Sequence, residues 1–312
     1  MSEFLLARLR RPRPCLGEIH GSSQPMRLGI VGMMPGDFRT WTKDHTRAVR
    51  DLGFTGFGFH LDGETAFDIT PDDCRRYHEF MAGEGLDLVQ FATLHRECLF
   101  SPDAAERAAV TVKINRGTEI AAALGAQAFL LRPGSRSPAG SWTPHRDNYL
   151  PESRDLLVET LKPIARKAEE DGVILAMETH VVSIMDPPEK CRDIVEAVGS
   201  DHLRLIMDAV NHFGSIQDVY HSSAFLNCIF DAVGPLAPVA HLKDVKVSPG
   251  LVVHIDQEVP GEGELDLALM LQRFDALFPE GYGLIEHLPR EKVPVAAANI
   301  RSIAAHSGVD IH

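Results

Sequence analysis

The pattern that most restricts this chain is an alternation of short apolar runs with longer segments of helical spacing. Apolar runs occupy 26–31, 55–59, 86–92, 126–131, 173–178, 203–208, 238–241 and 282–286, and helical spacing follows each, at 41–52, 71–83, 103–124, 152–171, 187–198, 216–232, 265–278 and 291–306. The early helical segments stop at glycine, as at Gly53 and Gly83, where a left-handed residue ends a helix without strain. Strand and helix in alternation imply parallel strands joined by right-handed crossovers. Eight such units in 312 residues close most economically into a (β/α)8 TIM barrel, a single α/β domain. An open doubly wound sheet is the alternative. Against it, no G-x-G-x-x-G follows the first run, and polar residues end four consecutive strands, which a barrel would gather at one mouth. The expected layout is an N-terminal extension over 1–25 and a barrel over 26–312. The apolar stretch Phe4-Leu5-Leu6-Ala7 is too short for a signal sequence, and its arginines follow rather than precede it.

The last four strands carry the chemistry. Met177 runs into Glu178, Met207 into Asp208, Ala240 into His241 and Ile285 into Glu286. Any one of these alone would read as a capping or salt-bridging residue. Four in corresponding positions make an oxygen and nitrogen ligand set for one divalent cation. Mn2+ is the first expectation, with Mg2+ or Co2+ as alternatives, because zinc would recruit more sulfur or nitrogen. His180 lies two residues past Glu178, so strand alternation turns it toward the same mouth but about 6.5 Å further on, which suits an acid or orienting group better than a ligand.

These four residues, with Ala240-His241-Leu242-Lys243-Asp244 and the glycine-rich Pro260-Gly261-Glu262-Gly263-Glu264-Leu265-Asp266, resemble the xylose isomerase-like family of sugar isomerase and epimerase barrels over 26–306. The resemblance implies a TIM barrel, one divalent ion and proton transfer at carbons next to a sugar carbonyl. It further implies that Glu178 and Glu286 each bind the ion through one oxygen and move protons on opposite faces of the substrate. That chemistry needs a Lewis acid on the substrate oxygens and a base at the C–H bond.

Other groups are placed to reach the mouth. His60 and His95 end the second and third strands and are read as substrate-binding, with satisfied structural histidines as the alternative. Asn211 and His212 follow Asp208 and would hold a hydroxyl or cap the next helix. Lys243 faces the same way as His241, toward a substrate oxygen or toward an ion pair with Asp208 or Glu286. The loop over 132–151 is long for a compact domain, and its Trp142, His145, Arg146 and Tyr149 suit a wall or lid that stacks on a sugar, with His145 as a further acid.

The expected function is a metal-dependent isomerase or epimerase of a keto sugar or sugar derivative. A lyase of the same family is the alternative, acting by dehydration or cleavage of an oxidised C-glycoside; a non-catalytic carbohydrate-binding barrel and an endonuclease of related fold rank lower. A formal charge of −13 excludes nucleic acid and anionic membrane as main partners, since phosphate binding needs a basic face. No apolar run approaches the roughly 18 residues of a membrane span. Five cysteines without C-x-x-C spacing indicate neither a disulfide frame nor a zinc knuckle, so a cytoplasmic location is expected. A homo-oligomer is expected, and a second subunit type is left open.

Overall fold

The computed structural model of the chain describes residues 25–312, so the expected extension, apart from Pro25, lies outside the described residues. Strands β1 (Arg27–Val31), β2 (Gly56–Asp62), β3 (Asp87–Leu94), β4 (Ala128–Leu131), β5 (Leu175–Met177), β6 (Leu203–Met207) and β7 (Val239–Leu242) run parallel around a barrel. An antiparallel ribbon, β8 (Asp244–Ser248) and β9 (His254–Glu258), intervenes before β10 (Tyr282–Ile285) closes the ring between β7 and β1. The TIM barrel expected from the alternation is the fold observed.

The helices are α1 (Lys43–Arg50), α2 (Pro71–Met81), α3 (Ala104–Leu124), α4 (Pro151–Asp171), α5 (Pro188–Val198), α6 (Ile216–Tyr220), α7 (Ser222–Val233), α8 (Leu267–Leu277) and α9 (Val293–Ser307). Their ends follow local rules: Thr70 and Asp73 form a capping box at α2, Asp103 caps α3, and Gly125 closes α3 in the left-handed region. Two expectations change. The helix expected over 216–232 is split at His221, whose backbone leaves the helical region. The β8–β9 ribbon was not expected, because β9 is mostly solvent-exposed and carries no apolar run. None of the described helices is long and apolar enough to cross a membrane.

Alternation along the strands separates two apolar layers. Outward residues such as Phe57, Phe59, Phe91 and Phe129 pack in the layer beneath the helices, while Val31, Ala128, Leu130, Ile206 and Leu284 fill the interior. One irregularity matters for the site. Phe57 pairs with Leu88 but Gly58 pairs with Gln90, so Val89 is an extra residue in β3. This bulge shifts the alternation and lets Gln90, fully buried, join the interior face.

The fit of α3 onto β3 and β4 gives a stability test. A Cβ on Gly117 would lie 2.5 Å from the Phe129 ring and 2.8 Å from Thr93 Oγ1, and both neighbours are buried. Alanine at an open helical position would stabilise by about 1 kcal/mol over glycine. Here overpacking reverses the sign: Gly117→Ala should lower stability by about 1–3 kcal/mol, measured as a fall in urea midpoint with unchanged slope.

Candidate active site

Register brings the strand ends together. Met207 of β6 lies opposite Ala240 of β7, which puts Asp208 level with His241, and Ile285 of β10 lies opposite Leu242, which puts Glu286 level with Lys243. Glu178 continues the ladder one residue beyond β5, its amide donating to Leu131 O at 2.9 Å. As a result Glu178, Asp208, His241 and Glu286 each offer a ligand atom within 4.8 Å of one another, and all four are buried.

The Lys243 ammonium lies 2.6 Å from Asp208 Oδ2 and 2.6 Å from Glu286 Oε1. Three carboxylates against one ammonium leave two negative charges in a buried volume, which a divalent cation would balance. Asp208 Oδ1 is also buried without a hydrogen-bond partner, as expected of an oxygen reserved for a ligand. The imidazole fits the same role. His241 Nε2 donates to Gln90 Oε1 at 2.8 Å, leaving Nδ1 to face Asp208 and Glu286 at 3.1 and 3.0 Å. A partner on the remote nitrogen is how ligating histidines are fixed in tautomer and orientation. The donor set therefore fits one hard or borderline divalent ion.

Protons can supply the same charge balance. Burial, then the neighbouring Glu286, push Glu178 up to about 7. Burial opposes charge on His241, but Glu286 and the hydrogen bond to Asp208 raise it to about 10. Burial also opposes ionisation of Glu286, yet His241 and Lys243 hold it well below the usual carboxylate range.

The other expected residues divide by position. Asn211 donates to Glu178 Oε1 at 3.4 Å and to Thr179 O at 3.0 Å, so it braces a carboxylate of the cluster. His212 Nδ1 pairs with Asp186 Oδ1 at 2.7 Å. His180 accepts from the Val182 amide through Nδ1 and packs against Trp142, ring centroids 5.2 Å apart, and burial lowers its pKa. His60 and His95 are pushed down to about 4, chiefly by burial, and each leaves Nε2 buried without a partner. In the 132–151 loop, Asn148 donates to Val182 O and Tyr149 to Val181 O, which pins the loop against the segment after β5 as a wall. His145 caps the short helix Arg146–Tyr149, accepting from the Asp147 amide. No contact joins His145 or the exposed Arg146 to the carboxylate cluster among the described residues.

Residues 46–305 match the sequence family described as the xylose isomerase-like TIM barrel. The chain belongs to the xylose isomerase-like TIM barrel family. Solved structures agree in fold at low identity. A 3-keto-D-glucoside 4-epimerase from E. coli is 16% identical, with 89% of this chain and 99% of that one covered and a TM-score of 0.64. A xylose isomerase-like TIM barrel protein from Mycobacterium smegmatis, in complex with magnesium, is 16% identical, with coverage of 91% and 96% and a TM-score of 0.66. A probable 3-DHS dehydratase from Bacillus anthracis is 13% identical, with coverage of 89% and 99% and a TM-score of 0.65. No curated protein sequence matches the chain.

Three features of this xylose isomerase-like barrel escape a sequence reading. Gln90 is hidden by the β3 bulge. His287 follows Glu286 with φ of 57°, and its Nδ1 lies 3.5 Å from Glu286 Oε1. Asp244 is buried and accepts from the amides of Val245, Gly261, Gly263 and Leu265 at 2.8–3.0 Å, so it shapes the glycine-rich loop. A Cβ on Gly263 would sit 2.3 Å from Asp244 Oδ1, which is why glycine is needed there. The ribbon above it reaches the site, where Gln257 Nε2 donates to the carbonyls of Glu286 and His287.

The two protonated groups set the pH dependence of metal binding. A divalent ion held by the cluster would replace protons on Glu178 and His241, so affinity should rise as pH climbs through about 7 and continue to rise toward about 10. Calorimetry of Mn2+ binding in buffers of different ionisation enthalpy should show release of about one to two protons per ion near neutral pH. In the same titration Gln90→Leu, which frees the His241 ring, should weaken binding by about 10–100-fold.

Proposed function

We propose that this chain is a divalent-metal-dependent isomerase or epimerase of a keto sugar or sugar derivative, abstracting a proton next to a carbonyl. The observation that supports it is the pair Glu178 and Glu286, two buried carboxylates in one cluster whose proton affinities are driven apart. Glu178, Asp208, His241 and Glu286 would hold the ion, Mn2+ or Mg2+ by the hardness of the donors. A divalent cation held there would draw electron density from the substrate's carbonyl and neighbouring hydroxyl oxygens and so acidify the adjacent C–H.

Glu178 takes the proton from one face of the substrate. Its position under Asn211, which holds Oε1, leaves the second oxygen for that task. Glu286 returns a proton on the opposite face, giving the epimer, or at the neighbouring carbon, giving the isomer. Lys243 holds Asp208 and the resting Glu286 ionised, so the proton that Glu286 returns is one it takes up from solvent during turnover. Trp142 and the wall formed by the 132–151 loop shield the mouth, and Trp142 offers an aromatic face to a sugar ring. The E. coli epimerase of the same fold acts on a 3-keto-glucoside by its name, which agrees with this reading. Free buried thiols at Cys74, Cys98 and Cys191 suit a reducing compartment, and we place the protein in the cytoplasm.

A panel of keto and 3-oxo sugars incubated with the Mn2+-loaded protein in deuterated water tests the proposal. Deuterium should enter at the carbon next to the carbonyl without loss of a group, as read by NMR. Glu178→Gln and Glu286→Gln should each lower that rate by about 10²–10⁴-fold while circular dichroism stays unchanged, because the packed core lies elsewhere. Wild-type exchange in either variant would refute the assignment.

A lyase is the second reading, favoured by His180, whose ring stands beside Trp142 within reach of the charges of Asp208 and Lys243. Elimination needs an acid for the leaving group. Burial lowers the pKa of His180, so its acid form grows only as pH falls below the usual imidazole value. The ratio of group loss to proton exchange should therefore rise toward acid pH, and group loss should vanish in His180→Asn, whereas proton exchange by Glu178 should slow toward acid pH and survive in that variant. Equal effects of His180→Asn on exchange and on elimination would rule this reading out.

A further inference from the structure

Beyond the four-residue cluster, the mouth of the barrel contains a cation that the chemistry above does not use. Arg132 follows directly on β4, one residue after Leu131, whose carbonyl anchors Glu178. Its side chain is partly buried and, among the described residues, makes no ion pair and no hydrogen bond. It lines a cavity of about 480 Å³ together with His95, Arg96, Lys113 and Trp142. The other charges in that cavity are already committed. Lys113 lies 2.7 Å from Glu64 and 2.6 Å from Glu97, and Asp62 accepts from the Glu64 and Thr65 amides of its own turn. Arg96 is exposed at the rim. Arg132 is thus the inner uncompensated charge, and its field reaches Glu178 on one side and His60 and His95 on the other.

A guanidinium drawn out of bulk water without a partner is costly, and a planar fork of donors matches a carboxylate. We propose that Arg132 binds a carboxylate carried by the substrate, so that the natural ligand is an acidic keto sugar or cyclic polyol acid rather than a neutral sugar. This inference rests on the reading of the site as a sugar-converting centre. The carboxylate end lies against Arg132 and the ring lies across Trp142, with its keto carbon turned toward Glu178. Monoanionic carboxylate suits the cavity better than a phosphate dianion, because Asp62, Glu64 and Glu97 line the same walls.

The test is a binding comparison on the Mn2+-loaded full chain, using D-glucuronate, D-glucose and D-glucose 6-phosphate as probes in ligand-observed NMR. Glucuronate should bind at least about tenfold more tightly than glucose, a preference set by one charge-assisted pair, and the preference should shrink as salt is added. Arg132→Gln should abolish the preference while leaving glucose binding and metal content unchanged. Arg132→Lys, which keeps the charge, should retain part of it and guards against misfolding of the first variant. Equal binding of glucuronate and glucose, a preference that survives Arg132→Gln, tighter binding of glucose 6-phosphate than of glucuronate, or an Arg132→Gln variant that loses metal instead would each overturn the assignment. The readout is independent of turnover. Deuterium exchange on neutral keto sugars with no carboxylate preference would remove the Arg132 assignment and leave the proposed chemistry, whereas a carboxylate preference with no exchange on any sugar would do the reverse.

Discussion

Burying three carboxylates within a few ångströms of one another is the constraint to which the rest of this structure answers. Like charges in a low-dielectric interior cannot all stay ionised unless positive charge is built in or brought in. Lys243 supplies one unit at 2.6 Å from two of them, and the remainder falls to protons on Glu178 and His241 or to a divalent ion. That shortfall is also what makes the cluster reactive. A carboxylate whose proton affinity is lifted to about 7 by burial and by the neighbouring Glu286 is matched to proton transfer near neutral pH.

The barrel makes such a cluster possible because its framework is overdetermined elsewhere. Two apolar layers, one inside the strands and one beneath the helices, hold the strand ends in register, so Asp208 stays level with His241 and Glu286 with Lys243. Supports beyond the strands then fix the side chains. Gln90 orients the His241 ring, Asn211 holds Glu178, and Asp244 ties the glycine-rich loop beneath a ribbon that braces the backbone after Glu286. Each support is a neutral or capped group, so none disturbs the charge balance of the cluster.

Much of this was legible in the sequence because it follows from period and position. Apolar runs of four to six residues ending in Glu, Asp or His announce parallel strands with polar exits, and the barrel and the four-residue cluster both follow. What escaped depended on events without a periodic trace. The Val89 bulge reverses the facing of Gln90, which strict alternation would turn toward the helices. The β8–β9 ribbon is wet on much of its surface and so carries no apolar signature. His145 and Arg146 looked like site residues by type alone, but the wall of the 132–151 loop is pinned through Asn148 and Tyr149, which leaves His145 capping a local turn. Lys243 was open between substrate and ion pair, and the register of β7 against β10 places its ammonium between two carboxylates.

The mouth divides into two halves with different work. Strands β5, β6, β7 and β10 carry the acidic cluster, which Gln90 braces from across the ring on β3. Strands β2, β3 and β4 carry no carboxylate of the cluster; they present His60 and His95, both held neutral by burial, and the cation Arg132. The cavity opens on this second half, between the β3 and β4 exits and Trp142. The same proton chemistry can therefore be kept while the ligand is changed, because the residues that would read the substrate sit on strands that do not hold the charge balance. Substituting His95 or Arg132 would alter shape and charge in the cavity where we propose the substrate extends, whereas substituting Lys243 or Gln90 would disturb the cluster itself. On the proposed reading, chemistry and selectivity would be largely separable, because the acidic cluster and the residues facing the cavity lie on opposite arcs of one ring, with Gln90 reaching across from β3.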